Sequence, residues 1–145
     1  MMKTELKEKL HSYIVENNPE LVLNLQGSLS VTKYLEEKVS AIQPMLDSLE
    51  AASKPSYIIE ELCMNELTKD LRPSKFNYIK EILEAEFEEV FNKLRDSGVL
   101  TYEIVNMITA CNPVFEEMGF SEDRAEDRKL RYAVTGTIQE YLEKK

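Results

Sequence analysis

Glu8 and His11 stand three residues apart, which puts them on one face of any helix that contains them, and that spacing is half of the ligand set of a di-iron carboxylate bundle. The other half is missing. His11 is the only histidine in the chain, and such a centre needs a second Glu-x-x-His and two further carboxylates. The pair therefore reads as helical neighbours at or near the surface. Glu84, Glu86, Glu88 and Glu89 form an acidic run, and two carboxylates in unlike surroundings can divide acid and base roles. These flank an apolar stripe, however, and Glu89 precedes Lys93 in the order that favours a helical ion pair. A solvated face accounts for them, with Glu86 nearest the border of the stripe. The run from Asp96 to Glu103 has a faint likeness to a calcium loop, but oxygen ligands at positions one, three, five and twelve and glycine at six are not met.

Arg124, Arg128 and Arg131, with Lys129 beside them, could hold a phosphate or an acidic partner. Glu122, Asp123, Glu126 and Asp127 are interleaved with them, and Asp127 with Arg131 is an ordinary helical pair, so a self-neutralised surface is expected. No serine, cysteine or threonine sits in a nucleophile elbow or phosphate loop, and any dyad would have to use His11. The sequence nominates no catalytic, cofactor-binding or metal-ligating residues. Gly136, in Thr135-Gly136-Thr137-Ile138, is of another kind. Glycine inside a helix costs about 1 kcal/mol against alanine, and the expected reason is a packing notch where another backbone crosses.

The elements that would position these groups are helices. The chain has 145 residues, 43% of them apolar, with seven Tyr, five Phe, four Gly and five Pro. That length can bury a sizeable core, and so few turn residues disfavour an all-β chain. Leu6, Leu10, Tyr13 and Ile14 predict a first helix over 4–17, stopped at Asn17-Asn18-Pro19. Pro19 to Gln26 reads as an apolar connection or single turn, and Gly27-Ser28 as a turn. Ser30 would cap a helix through Val31, Tyr34, Leu35, Val39 and Ile42, which Pro44 ends or kinks, with Met45, Leu46 and Leu49 on further turns. After Pro55 a helix points Ile59, Leu62, Cys63 and Leu67 inward. From Ser74 an unbroken stripe of Phe76, Ile79, Leu83, Phe87, Val90, Phe91 and Leu94 predicts a spine helix reaching Ser97, about 36 Å long, with Gly98 as its left-handed cap. Thr101 would cap a helix through Cys111 that Asn112-Pro113 interrupts before a last turn ending at Gly119. Ser121 would cap the final helix, whose Leu130, Val134, Ile138, Tyr141 and Leu142 face inward, with Glu122 and Asp123 at its positive end and Lys144 and Lys145 at its negative end.

Cys63 and Cys111 belong to no Cys-x-x-Cys or Cys/His cluster and read as buried, reduced thiols of a reducing compartment. The N-terminal stretch is charged every second or third residue, which is not a secretory signal, and no apolar run approaches the ~20 residues of a membrane span. A formal charge of −9 disfavours direct nucleic-acid binding. A cytoplasmic protein is expected.

Three patches occur in an order that resembles a known family: Tyr13-Ile14-Val15-Glu16-Asn17-Asn18-Pro19-Glu20-Leu21, then Leu71-Arg72-Pro73-Ser74-Lys75-Phe76 through Ile82-Leu83-Glu84-Ala85-Glu86-Phe87, and Tyr132-Ala133-Val134-Thr135-Gly136-Thr137-Ile138-Gln139-Glu140-Tyr141-Leu142. The chain resembles a family of short uncharacterised all-helical proteins from Bacteroidetes, with a Tyr-Leu-x-x-x-x-Pro-Glu-Leu start and a Thr-Gly-Thr-Ile element near the end. The family often has a tryptophan where this chain has Glu84, and Gly-Leu-His-Phe where it has Asp70-Leu71-Arg72-Pro73, so no role for that histidine or tryptophan carries over. The resemblance implies a multihelical fold and a Bacteroidetes source, and assigns no activity.

The expected fold is thus all-α, a compact multihelical bundle of six or seven helices forming a single domain over 1–145, with two small lobes, 1–72 and 73–145, as the other arrangement. The expected function is a non-catalytic protein–protein interaction or regulatory module, acting through a protein partner or self-association, without cofactor, membrane or small-molecule ligand. An acidic nucleic-acid mimic that binds a DNA-handling protein is the alternative, and an enzyme with an unrecognised carboxylate site the third reading.

Overall fold

Leu6, Leu10 and Ile14 are spaced four apart and are fully buried, on the inward side of a helix that spans Met2–Asn17, α1. This is seen in a computed structural model that describes residues 2–25 and 28–144, with the backbone alone for Ser28 and Leu29. The described residues form nine α-helices and one 3-10 turn, with no strand. The fold is all-α. The chain divides into two compact units, Met1–Leu71 and Arg72–Lys145.

In the first unit α1 is followed by α2 (Pro19–Asn24), α3 (Ser28–Ala41), α4 (Gln43–Ala51), α5 (Ser56–Thr68) and the 3-10 turn Lys69–Leu71. Leu35, Val39, Ile42, Leu46, Ile59, Cys63 and Leu67 close with the three α1 residues into one core. Each such side chain stabilises by about 1.5–3 kcal/mol. Asn18 leaves helical geometry ahead of Pro19, as the residue before a proline must. Its amide Nδ2 donates to the Leu71 carbonyl at 3.4 Å, tying the α1–α2 corner to the end of the unit. Pro44 is the second residue of α4, where a first-turn proline gives up no hydrogen bond. Helix α3 begins at Ser28, ahead of the expected Ser30 cap; Gly27 of the expected turn lies outside the described residues. Helix α5 starts at Ser56, with Pro55 as its cap residue. Leu62 is 38% exposed, a correction to the inward face of α5. That helix turns towards α1 the side that carries Glu60 and Met64, which leaves Leu62 on the outer flank.

The second unit holds α6 (Lys75–Glu86), α7 (Glu88–Asp96), α8 (Leu100–Met118) and α9 (Arg128–Glu143). Its core gathers Phe76, Ile79, Ile82 and Leu83 of α6, Phe91 of α7, five residues of α8 and Leu130, Val134 and Ile138 of α9. Ser74 caps α6 as its sequence suggests, accepting from the Asn77 amide at 3.0 Å. The expected spine is two helices. Phe87, at φ −137° and ψ 50°, breaks it, so α6 and α7 each lay an apolar face on α8 where one straight rod would carry Phe91 away from it. Gly98 and Gly119, at φ +76° and +73°, supply the left-handed caps after α7 and α8.

Two further boundaries are corrected. Pro113 does not interrupt α8: its ring and Thr109, whose carbonyl loses a donor, are both exposed, so water can serve the freed oxygen, while buried Cys111 and Phe115 hold the helix on the core. The cap of α9 is Asp127, whose carboxylate accepts from the Lys129 and Leu130 amides at 2.8 and 3.4 Å. Ser121 lies well ahead, in a turned segment where its carbonyl accepts from Arg124.

Candidate functional site

Helix α1 lines an open groove of ≈ 490 Å³ with Glu8, Lys9, Ser12, Tyr13, Glu16 and Asn17, and α5 adds Met64. Lys9 forms an ion pair with Glu60 of α5. Glu8 and His11 are both exposed on α1, and no group of three His, Cys, Asp or Glu among the described residues is placed to hold a metal ion. No helix among them is long and apolar enough to cross a membrane.

The structure scatters the other candidates. Glu84, Glu88 and Glu89 point to solvent. Glu86 meets Arg131 at 3.7 Å, and Glu81 meets it at 2.6 Å. Arg131 therefore staples α9 to α6, and the expected Asp127–Arg131 pair is replaced because the Asp127 carboxylate is turned onto the helix amides. Arg124 lies outside the helix and donates to the Met118 carbonyl at 3.2 Å. The basic trio is thus taken apart, each arginine with its own surroundings.

Near the start of α6, Lys75 donates to Asn112 Oδ1 at 3.0 Å and stands 5.3 Å from the centre of the Phe115 ring. Tyr78, Phe115 and Phe120 pack edge to face and tilted, with centroids 4.6–6.0 Å apart. The Tyr78 hydroxyl is shut from solvent without a hydrogen-bond partner among the described residues, and burial pushes this phenol above its ordinary value. Cys63 and Cys111 are free and buried, one in each unit. Burial pushes the Cys63 thiol up, with the charge of Glu50 adding to it, and drives Cys111 up to about 12. Neither is poised as a nucleophile, which needs a lowered pKa and access.

The outer face of α9 is the surface that sequence reasoning missed. Gly136 is exposed, and a Cβ built on it would meet nothing within 4 Å. The expected packing notch is corrected: among the described residues no backbone crosses there. Gly136 stands two residues from both Val134 and Ile138, so at 100° per residue it points away from their buried stripe. That signal was present in the sequence. One turn before it, Tyr132 is 76% exposed. Within α9 the charges run against its dipole, with Arg128 and Lys129 in the first turn, Glu140 and Glu143 near the end, no acidic residue in the first turn and no basic one in the last, while the cap residues Asp127 and Lys144 carry the favourable signs. Each unfavourable placement costs about 0.3–1 kcal/mol at an exposed position, offset in part by the Asp127 cap.

No curated protein and no solved structure matches the chain. One family model does, over residues 4–145, and by that match the chain belongs to the family described as Domain of unknown function (DUF1896).

Proposed function

We propose that this chain is a non-catalytic protein–protein interaction module of the Bacteroidetes cytoplasm. The observation that carries the reading is Tyr132, a large aromatic residue about three-quarters exposed to solvent on a well-formed helix. Exposed tyrosines offer rigid contact area at low entropic cost, and aromatic residues are enriched at interface centres. Tyr57 and Tyr102 are similarly exposed, at 71% and 63%. The groove beside α1 supports the enzyme reading less well, since its Lys9 is paired with Glu60 and its histidine neighbour looks outward.

The test is a photo-crosslinking residue at position 132, compared with one at exposed Glu84, in living cells that are then fractionated. A protein crosslinked from position 132 but not from 84, in the cytoplasmic fraction, supports the reading, whether that protein is another chain or a second copy. Equal yields from both positions, or none from either, overturn it.

A further inference from the structure

We propose that α9 is a self-association element, in which two copies pair this helix antiparallel about a two-fold axis, each Tyr132 ring lying over Gly136 of the other copy. The proposal rests on the interaction-module reading and names the partner as the chain itself.

The shape argument comes first. Tyr132 and Gly136 are one helical turn apart, about 6 Å along the axis, and both face solvent. A protruding ring beside a bare stretch of backbone is self-complementary only if the second helix runs the opposite way, as an isologous interface requires. The charges agree with that direction. When Tyr132 lies opposite Gly136, each step towards the N-terminus of one helix is a step towards the C-terminus of the other. Arg128 then faces Glu140, and Lys129 faces Gln139, all exposed residues of the same outer face. A parallel pairing would set Arg128 against Arg128 and Glu140 against Glu140. The placement of charge against the helix dipole is also relieved: the cationic end of each helix lies beside the acidic end and negative dipole pole of its partner. One helix face is smaller than a standard interface, so the pairing is weak and concentration-dependent.

Sedimentation velocity on the full chain tests this from about 1 to about 500 µM, a range that brackets micromolar affinity. A monomer–dimer equilibrium is expected. Tyr132→Ala and Gly136→Leu should each weaken it about tenfold or more. Arg128→Glu and Glu140→Arg should each do the same, and the two together should restore affinity to within about threefold of wild type, because the reversed charges meet again. Both reversals suit the dipole of α9 and leucine is a better helix former than glycine, so loss of helix cannot account for a lost dimer; circular dichroism of each variant checks this. A chain that stays monomeric throughout, a dimer indifferent to Gly136→Leu, or a double reversal no better than its singles overturns the proposal. Self-association failing while position 132 still crosslinks another protein leaves the interaction reading standing; both failing removes both.

Discussion

Replacing Gly136 with alanine should stabilise the protein, by an amount that follows from its place in the structure. The residue lies near the middle of a sixteen-residue helix with a side-chain cap at one end, so the whole propensity difference between glycine and alanine applies, about 1 kcal/mol. No term opposes it, since the added methyl meets nothing within 4 Å. For a cooperative unit the size of Arg72–Lys145 that gain raises the thermal midpoint by about 4–8 °C, and by about 2–4 °C if the whole chain unfolds together. Leucine, nearly as good a helix former, should also exceed glycine. The assay is a thermal melt by circular dichroism on dilute protein, at a concentration where sedimentation velocity reads a monomer. Gly119→Ala is the control of opposite sign, because φ +73° strains any residue with a Cβ by about 1–2 kcal/mol. A lower midpoint for Gly136→Ala, or a leucine variant well below the wild type, would mean that another part of the chain does pack there, and the argument for an open face would fail.

Asp127→Ala should cost about 1 kcal/mol in urea unfolding, through the loss of the α9 cap, while Ser121→Ala should stay within about 0.5 kcal/mol of wild type. Arg131→Met should cost no more than about 1 kcal/mol, because its partners Glu81 and Glu86 are more than half exposed and such pairs are screened; a double-mutant cycle with Glu81→Gln reads the coupling directly. Cys111 should resist a thiol reagent at neutral pH until the protein is denatured. Since its folded pKa is raised from 9.0 to about 12, its contribution to stability is intact below pH 9 and is lost as pH climbs towards 12. Over that window wild-type stability should fall more steeply with pH than that of Cys111→Ala, by at most about 1.4 kcal/mol per unit.

The helical fold was legible because burial imposes a period. Leu6, Leu10 and Ile14, and again Leu130, Val134 and Ile138, are where a four-residue spacing puts a core. The breaks were legible where a backbone constraint names them, as Gly98 and Gly119 do with their left-handed caps. They were illegible where packing alone decides. Phe87 bears no mark of a helix end; it breaks the spine because Phe91 and the α6 residues both need the surface of α8. Pro113 errs in the other direction, since a local rule that ends helices is overruled by the buried contacts on either side and by water on the exposed face. The cap of α9 was misplaced for a related reason: Ser121 and Asp127 are both competent acceptors, and only the course of the chain after Gly119 selects between them. The open side of α9 is legible as well: the cost of glycine in a helix suggests a notch, but Gly136 stands opposite Val134 and Ile138, and that helical position turns it outward.

In the proposed pairing, that outward turn ties stability and association to a single residue. If glycine at position 136 served the fold of the monomer, every larger side chain would lower both stability and association. An open face predicts that the two separate: alanine and leucine raise the melting midpoint of dilute protein and weaken the pairing of concentrated protein. The same separation holds for charge. Arg128→Glu removes a cation from the positive pole of α9 and should leave the monomer no less stable, yet it places like charges opposite each other in the antiparallel pair. The buried stripe of α9 is regular and its cap well made, whereas Arg128, Gly136 and Glu140 on the outer side each cost the helix stability, which is what the proposed pairing would offset. The self-complementary order of Arg128, Tyr132, Gly136 and Glu140 makes a second copy of the chain the simplest partner for that side.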